Sequence, residues 1–482
     1  MTTKPFGSNC FACSWPVALG LLAASGASAA GFEIPGNSAQ GVGRGMALTA
    51  SVDDGTAVAH NPGRLSQQKG HRVGWSHQLL WSHEAFTRAP SAHPQDPVPG
   101  TNSADALKKS ENQTPLFPLG AFASASTDLG MPDLTFAIAG YGPSANGYKQ
   151  FDTQGGQRYM LTKLDALLAY ASLAVAYGKK DQFGIGVTLQ WAMMPKTDMT
   201  LVVDGATGGA NNPYYGANDA VATIRLKDMT AFTAILGGWY RLTQNLEVAA
   251  SGRILPVSFE SEGDILLAND KTGAGANFSP SQLLITNSKS SLKMKLAPTA
   301  ALGVRYRSPA ADGSDDFDVE ANVVWEGWSV LNEYNVVNGG QINLFKASEM
   351  PTVNIGKRWQ DTLSARLGGT KWLSSDLAVS AGGYYEQGAT PLDFSHLDFP
   401  SFDRYGVGGG VRYNFGALRL NLSYAHVFQP TRVVDEKWGQ VYQQRPLATC
   451  PANCDGQGAV AANAGTFETA YDLLSWSVGG QF

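Results

Sequence analysis

The sequence predicts an all-β membrane protein, a 14-stranded antiparallel transmembrane β-barrel with a small amino-terminal segment held inside its lumen. Three observations lead there. Segments in which apolar and polar residues alternate recur along the chain, the mark of strands with two unlike faces. Charged residues make up 16% of the 482, against roughly 25% in ordinary soluble proteins, while the chain carries 55 Gly, 11 Trp, 17 Tyr and 21 Phe. The mean hydropathy of −0.15 is too polar for a bundle of membrane helices and suits strands that are apolar on one side only. A formal net charge of −5 argues against nucleic acid as a partner.

Residues 1–30 read as a secretory signal. Lys4 gives a basic start, Val17 to Ala24 form a short apolar core, and Ala27-Ser28-Ala29 supplies a small-residue cleavage site. That core is shorter than the about 20 residues a helix needs to span a bilayer. Of four cysteines, Cys10 and Cys13 leave with the signal. Cys450 and Cys454 remain, and in an oxidising periplasm they are expected to close a small loop disulfide, worth about 2 kcal/mol by chain entropy.

Residues 31–70 are rich in Gly, Ala and Ser and precede the first alternating segment, Arg72 to Phe86. They are the candidate plug, and 71–482 the barrel. Phe183, Ile185, Val187, Leu189 and Trp191 alternate with polar or small residues, as do Leu246 to Ile254, Phe317 to Trp325, Leu377 to Tyr385, Val407 to Phe415 and Leu418 to Tyr424. The segments come to fourteen or fifteen, and an even number is normal for a single-chain bacterial barrel. Aromatics such as Trp191, Trp325, Trp328, Tyr413 and Phe415 sit at segment ends, where interfacial girdles belong. Connections near 178–181, 242–245, 373–375 and 416–417 are tight. Those at 195–227, 261–289, 388–402 and 431–469 are long, so the two rims differ as periplasmic turns and extracellular loops do. A soluble β-sandwich shares the alternation but not this asymmetry. The last strand places Leu474, Trp476, Val478 and Phe482 on one face. Its terminal aromatic resembles the signal read by the barrel-assembly machinery, which places the chain in the outer membrane of a diderm bacterium.

The plug segment carries a family resemblance. Gly31-Phe32, Asn37-Ser38-Ala39, Gly41-Val42-Gly43-Arg44-Gly45, Asp53-Asp54 and Asn61-Pro62 resemble the hatch of the FadL/TodX family of outer-membrane transporters of long-chain fatty acids and aromatic hydrocarbons. Gly140-Tyr141-Gly142-Pro143, Trp325-Glu326-Gly327-Trp328, Trp359-Gln360-Asp361, Arg366-Leu367-Gly368 and Asp403-Arg404 follow in matching order. The resemblance implies a hatch with Gly31, Phe32, Ile34, Asn37, Ser38, Asn61 and Pro62 among its residues, a monomer, and a kinked third strand that opens sideways. One departure stands out: the family's Asn-Pro-Ala is Asn61-Pro62-Gly63 here, and Gly loosens the backbone.

The expected function is passive transport of hydrophobic small molecules, long-chain fatty acids or hydrocarbons, with outer-membrane lipid as the receiving phase. No cofactor, metal or catalytic residue is expected, and no phosphate-binding loop is present. Gly140, Tyr141, Gly142 and Pro143 interrupt the third strand and are expected to border the lateral opening, since Pro cannot donate to a ladder and Gly marks bulges. Apolar runs in the long loops, Leu201 to Val203, Tyr214-Tyr215 and Ile265-Leu266-Leu267, are candidate substrate contacts. Arg253 and Arg305 lie within strands and must face the lumen, because a cation facing lipid at mid-bilayer costs about 2–4 kcal/mol. Either could meet a carboxylate or join a polar network. His71, His77 and His83 share one strand face but lie about 20 Å apart at each step of six, too far for one metal site. A general porin would need an open lumen, and an energy-coupled receptor a far larger plug. An outer-membrane lipase has only His426 with Ser423 nearby to offer.

Overall fold

A computed structural model describes residues 31–32, 37–90, 107–142, 147–203, 219–269, 279–310, 315–343, 347–444 and 461–482. The amino-terminal signal, Ile34, Pro143, Tyr214, Tyr215, Cys450 and Cys454 lie outside them. Fourteen strands form one antiparallel sheet. Seven are continuous, or nearly so, from rim to rim: β1 (His71–Arg88), β4 (Lys163–Lys179), β5 (Phe183–Val203), β6 (Ala220–Arg241), β11 (Leu377–Glu386), β12 (Arg404–Phe415) and β14 (Gly465–Gln481). The others are broken: β2 (Ser110–Glu111, Leu116–Thr127), β3 (Leu134–Tyr141, Tyr148–Gln150), β7 (Leu246–Arg253, Val257–Asn269), β8 (Ile285–Leu296, Thr299–Pro309), β9 (Asp315–Glu326, Glu333–Asn343), β10 (Ala347–Glu349, Val353–Gly356, Thr362–Trp372) and β13 (Leu418–Phe428, Arg432–Val434). The sheet closes where β14 pairs with β1 from Arg72↔Gln481 to Arg88↔Gly465. Closure removes the edge strands that an open sheet would leave in lipid.

The two faces are chemically inverted relative to a soluble protein. Trp75, Ile185, Phe232, Leu302 and Leu422 point outward and are exposed, while Gln190, Glu247, Glu320 and Arg305 point inward and are buried. Tight turns join the strands at the periplasmic rim. The residues between β4 and β5 include Asp181 with φ 60°, and the two between β12 and β13 include Gly416 with φ 59°.

Two of the long loops are shorter than the sequence implies. Across 195–227, β5 runs to Val203 and β6 begins at Ala220, and across 261–289, β7 runs to Asn269 and β8 begins at Ile285 after one helical turn, Pro280–Leu283. Above the lipid belt the outer face need not be apolar. There Arg225, Lys227, Lys293 and Lys295 point out while Ile224, Leu226, Leu292 and Leu296 point in or are buried, so the strand pattern continues with its sign reversed. At 431–469, strand segments take up 432–434 and everything from 465 onward. The 388–402 connection is a loop with a short 3-10 turn, Leu392–Phe394.

The hatch segment sits inside the barrel. It holds α1 (Ala39–Gly43), α2 (Ala57–His60) and a 3-10 helix over Pro62–Gln67. The α1 helix packs on β11 to β14 and β1, and the 3-10 helix packs on β3 to β6. Ala47, Leu48, Ala50, Val52, Ala57 and Leu65 are fully buried there.

Candidate functional site

Local turn chemistry shapes the hatch and fastens it to the wall. Asn37 takes a left-handed backbone, φ 69°, and the Ser38 hydroxyl accepts from the Gly41 N–H at 3.2 Å, capping α1. Asn61 does two jobs. Its Oδ1 accepts from the Gly63 N–H at 3.0 Å to start the 3-10 helix, and its Nδ2 donates to Thr49 O at 2.7 Å and to Gly238 O of β6 at 3.2 Å. Pro62 stands at the first helical position, where its missing N–H costs nothing. The departure at Gly63 has a packing reason. A Cβ there would lie 2.7 Å from the Gly238 Cα and 2.8 Å from the Gly237 carbonyl oxygen, so close approach to β6 excludes the alanine.

Charge fixes the other side of the hatch. The Arg44 guanidinium donates to Asp318 at 2.6 Å and to Thr370 at 2.5 Å, and lies 3.8 Å from Glu320. Arg64 pairs with Glu247 at 3.4 Å, and Asp53 pairs with Arg412 at 2.9 Å and Arg419 at 3.1 Å. Arg305 belongs to this network: its Nε donates to Asp318 at 2.6 Å and its Nη1 to Glu247 at 3.3 Å. Of the two roles expected for Arg305, meeting a substrate carboxylate or joining a polar network, its contacts are those of the network, with two protein carboxylates around it.

Above the hatch lies an apolar cavity of about 170 Å³. Met194 and Met199 of β5, Ile224 and Leu226 of β6, and Leu292 and Met294 of β8 form one side of it. Phe32 forms part of its floor. That ring packs against Trp328, Trp359 and Phe399 with centroids 5.4, 5.1 and 4.3 Å away, and Gly31 lies so close to the Trp328 indole that no side chain would fit. Phe32→Ala is expected to destabilise this anchorage by about 3–5 kcal/mol, seen as faster proteolysis of the amino-terminal residues in the folded barrel. Equal protease resistance in the variant would refute the anchor.

The cavity reaches the barrel wall where the third strand is broken. Gly140 and Tyr141 are still strand residues, paired with Ala123 and Phe122 of β2 and with Ala171 and Tyr170 of β4. Pairing stops there and resumes on β4 with Gly147, whose carbonyl accepts from the Ala166 N–H at 2.7 Å. On the β2 side the ladder to β3 ends at Phe122, and among the described residues contact resumes only where the Gln113 N–H donates to Gln150 O at 2.7 Å. Opposite the gap, β4 shifts register between Leu167 and Ala169. Phe117, Pro118, Gly142, Gly147, Leu167 and Leu168 all border the cavity, and Leu167 is exposed on the outer face. Of the four residues expected at an opening, Gly142 borders this gap. Gly140 faces outward with nothing within 4 Å of its Cβ position, and Tyr141 turns inward, its ring 4.5 Å from that of Phe122.

The loop residues expected to contact substrate are placed differently. Leu201, Val203 and Ile265 are strand residues buried in the wall, Leu266 points outward, and Leu267 packs at the edge of the core. None of them lines the cavity. Arg253 borders a separate polar cavity of about 160 Å³ beneath it, with its guanidinium 5.6 Å from the Tyr170 ring. Met199, Ile224 and Leu226 go unread in the sequence because 195–227 is expected to be a loop, whereas the strands β5 and β6 continue through them. The signal was present in charged residues that alternate with apolar ones, Arg225 and Lys227 here and Lys293 and Lys295 on β8.

At the far end of the cavity stands a compact polar cluster. Lys149 donates to Glu84 Oε1 and Oε2 at 3.0 and 2.7 Å and to Leu397 O at 3.2 Å. Lys357 donates to Asp398 Oδ2 at 2.5 Å, and His396 Nδ1 lies 2.7 Å from Asp398 Oδ1. Burial lowers the His396 imidazole from its ordinary value. Burial also opposes ionisation of Asp398, but His396 and Lys357 outweigh it and hold that carboxyl well below the usual range.

The outer surface contains no hydrolytic arrangement at the one place the sequence offered. Ser423 points inward and donates to Ala39 O at 2.6 Å, while His426 points outward to Asp472 at 2.6 Å. They lie on opposite faces of β13. His83 reaches the same Asp472 at 3.0 Å, and His77 lies between the rings of Trp75 and Trp476.

A family model described as "Outer membrane protein transport protein (OMPP1/FadL/TodX)" matches residues 20–467. The fold is similar to that of a Pseudomonas aeruginosa FadL homologue, with a TM-score of 0.72 at 16% identity, over 94% of this chain and 100% of that one. It is similar also to the P. putida toluene transporter TodX (0.64, 14% identity, 91% and 97%) and to the CymD monoaromatic hydrocarbon channel (0.58, 14%, 94% and 99%). No curated protein matches the chain by sequence.

Proposed function

The chain belongs to the OMPP1/FadL/TodX family of outer-membrane transport proteins, and from that premise we propose that its hydrophobic solutes leave the barrel sideways, through the gap in β3, into the bilayer. The protein is a transporter of hydrophobic compounds and not an enzyme. The observation that carries the route is the continuity of one apolar cavity from Met199 and Leu226 inside to Leu167 on the outer face, at the place where β2 and β4 lose their shared neighbour.

The energetics favour such a path. An alkyl solute loses about 0.8 kcal/mol for each CH₂ returned to water. The direct way down is blocked by the hatch, whose ion pairs and hydrogen bonds fill the lumen below the cavity. A route from apolar wall to lipid keeps the solute dry throughout and needs only a gradient. A general diffusion porin is disfavoured by the same packed hatch.

Ala166 sits at the mouth of the gap. Ala166→Trp is expected to lower uptake of a hydrophobic probe by about tenfold or more, because roughly 1–3 kcal/mol of overpacking would have to be overcome to pass. Uptake is to be measured in whole cells, with barrel assembly checked by the heat-dependent shift in gel mobility. Normal uptake by a correctly assembled variant would exclude this exit.

A further inference from the structure

We propose that the cavity admits uncharged hydrophobic molecules and turns away their carboxylates, and that Asp398 sets this preference by occupying the cationic corner itself. The proposal rests on the transport reading above and adds the substrate class.

Among the described residues, Asp398 is the only charged side chain that lines the cavity. It closes the end opposite Met194 and Leu226, on the same loop as Phe399, which meets the hatch residue Phe32. The two lysines nearby are already engaged. Lys149 directs its three hydrogen bonds to Glu84 and to the Leu397 carbonyl. Lys357 lies against Asp398 at 2.5 Å and over the Tyr334 ring at 4.6 Å. Asp398 is held from its other side by His396 and by the Phe399 N–H, which donates to Oδ1 at 2.8 Å. Two lysines and two carboxylates thus balance while His396 is neutral, all of them buried.

A solute carboxylate arriving here would lose its hydration, find no unpaired cation among the described residues that line the cavity, and face the like charge of Asp398. An alcohol or hydrocarbon of the same length pays none of these costs. In effect the loop carries a built-in carboxylate where a fatty acid would place its own. Removing that charge should expose Lys357 to the cavity.

The test compares octan-1-ol with octanoate at pH 8, binding to the purified full chain in lipid nanodiscs, with empty nanodiscs as the correction. The wild type is expected to bind octan-1-ol about tenfold more tightly or better. Asp398→Asn should raise octanoate affinity by about tenfold, and adding Lys357→Met should abolish that gain. Equal affinities in the wild type, or an assembled Asp398→Asn barrel with no gain for octanoate, would overturn the preference and leave the transport reading intact. Binding of neither ligand would overturn the cavity as a solute site, and the proposal with it. If Asp398→Asn fails to assemble, the wild-type comparison decides alone.

Discussion

Arg44→Met is expected to loosen the hatch by about 3–5 kcal/mol, and so to raise the population of open barrels by roughly two to four orders of magnitude. The size of the effect follows from what is left behind. Arg44 is almost completely buried, as are Asp318 and Glu320. Asp318 would keep Arg305 as a partner. Glu320 would lose the one ion pair it makes among the described residues, retaining hydrogen bonds from the Ala50 N–H and from Asn322. A buried carboxylate stripped of its cation is more costly than the pair was valuable. Single-channel conductance in planar bilayers reads the opening, and tryptic cleavage after Arg64 reports the exposed hatch. The energetic account also predicts a rescue: Glu320→Gln added to Arg44→Met should recover part of the closure, since the stranded charge is gone. Wild-type conductance and wild-type resistance at Arg64 in Arg44→Met would refute the role of this cluster.

Much of the barrel was legible because lipid imposes a simple rule on strand residues. Where a strand faces hydrocarbon, every second residue must be apolar and every unpaired backbone group must find a neighbour, so segments such as Phe183 to Trp191 announce themselves. The rule lapses above the lipid. There the outward residues become Arg225, Lys227 or Lys293, and the inward ones Ile224, Leu226 or Leu292. The strands continue, but the lipid-facing signature that identified them does not. This one inversion hid both the upper halves of β5 to β8 and most of the cavity lining.

The site was less legible for a second reason, the distance in sequence between its partners. Lys149 meets Glu84 across 65 positions and Lys357 meets Asp398 across 41. Arg44 meets Asp318 across 274. No local spacing encodes such pairs, so the sequence could require Arg305 to face the lumen but not determine that two carboxylates would claim it. The hatch turns are the opposite case. Ser38 and Asn61 cap helices within three residues of themselves, and their residue types alone point to that role.

Gly45→Val is expected to have the second largest effect on closure, and by a different mechanism. Gly45 has φ 56°, a left-handed backbone that costs an ordinary L-residue roughly 1–2 kcal/mol and a β-branched one more. The added Cβ would also fall on the backbone of Gly382 and Gly383 in β11. Those atoms belong to a paired strand, with Gly382↔Gly408 and Gly383↔Val407 on one side and Gly368 and Leu367 on the other, so the wall cannot yield. The hatch must move instead. Because Arg44 is the preceding residue, that movement should carry its guanidinium away from Asp318, and the two variants should not add. The double variant Arg44→Met/Gly45→Val should conduct little more than Arg44→Met alone, since both substitutions undo the same docking contact and a hatch already released has little left to lose. Additive effects on the logarithm of open probability would mean that the glycine contact and the arginine cluster hold the hatch independently, and the single docking seam inferred here would be wrong.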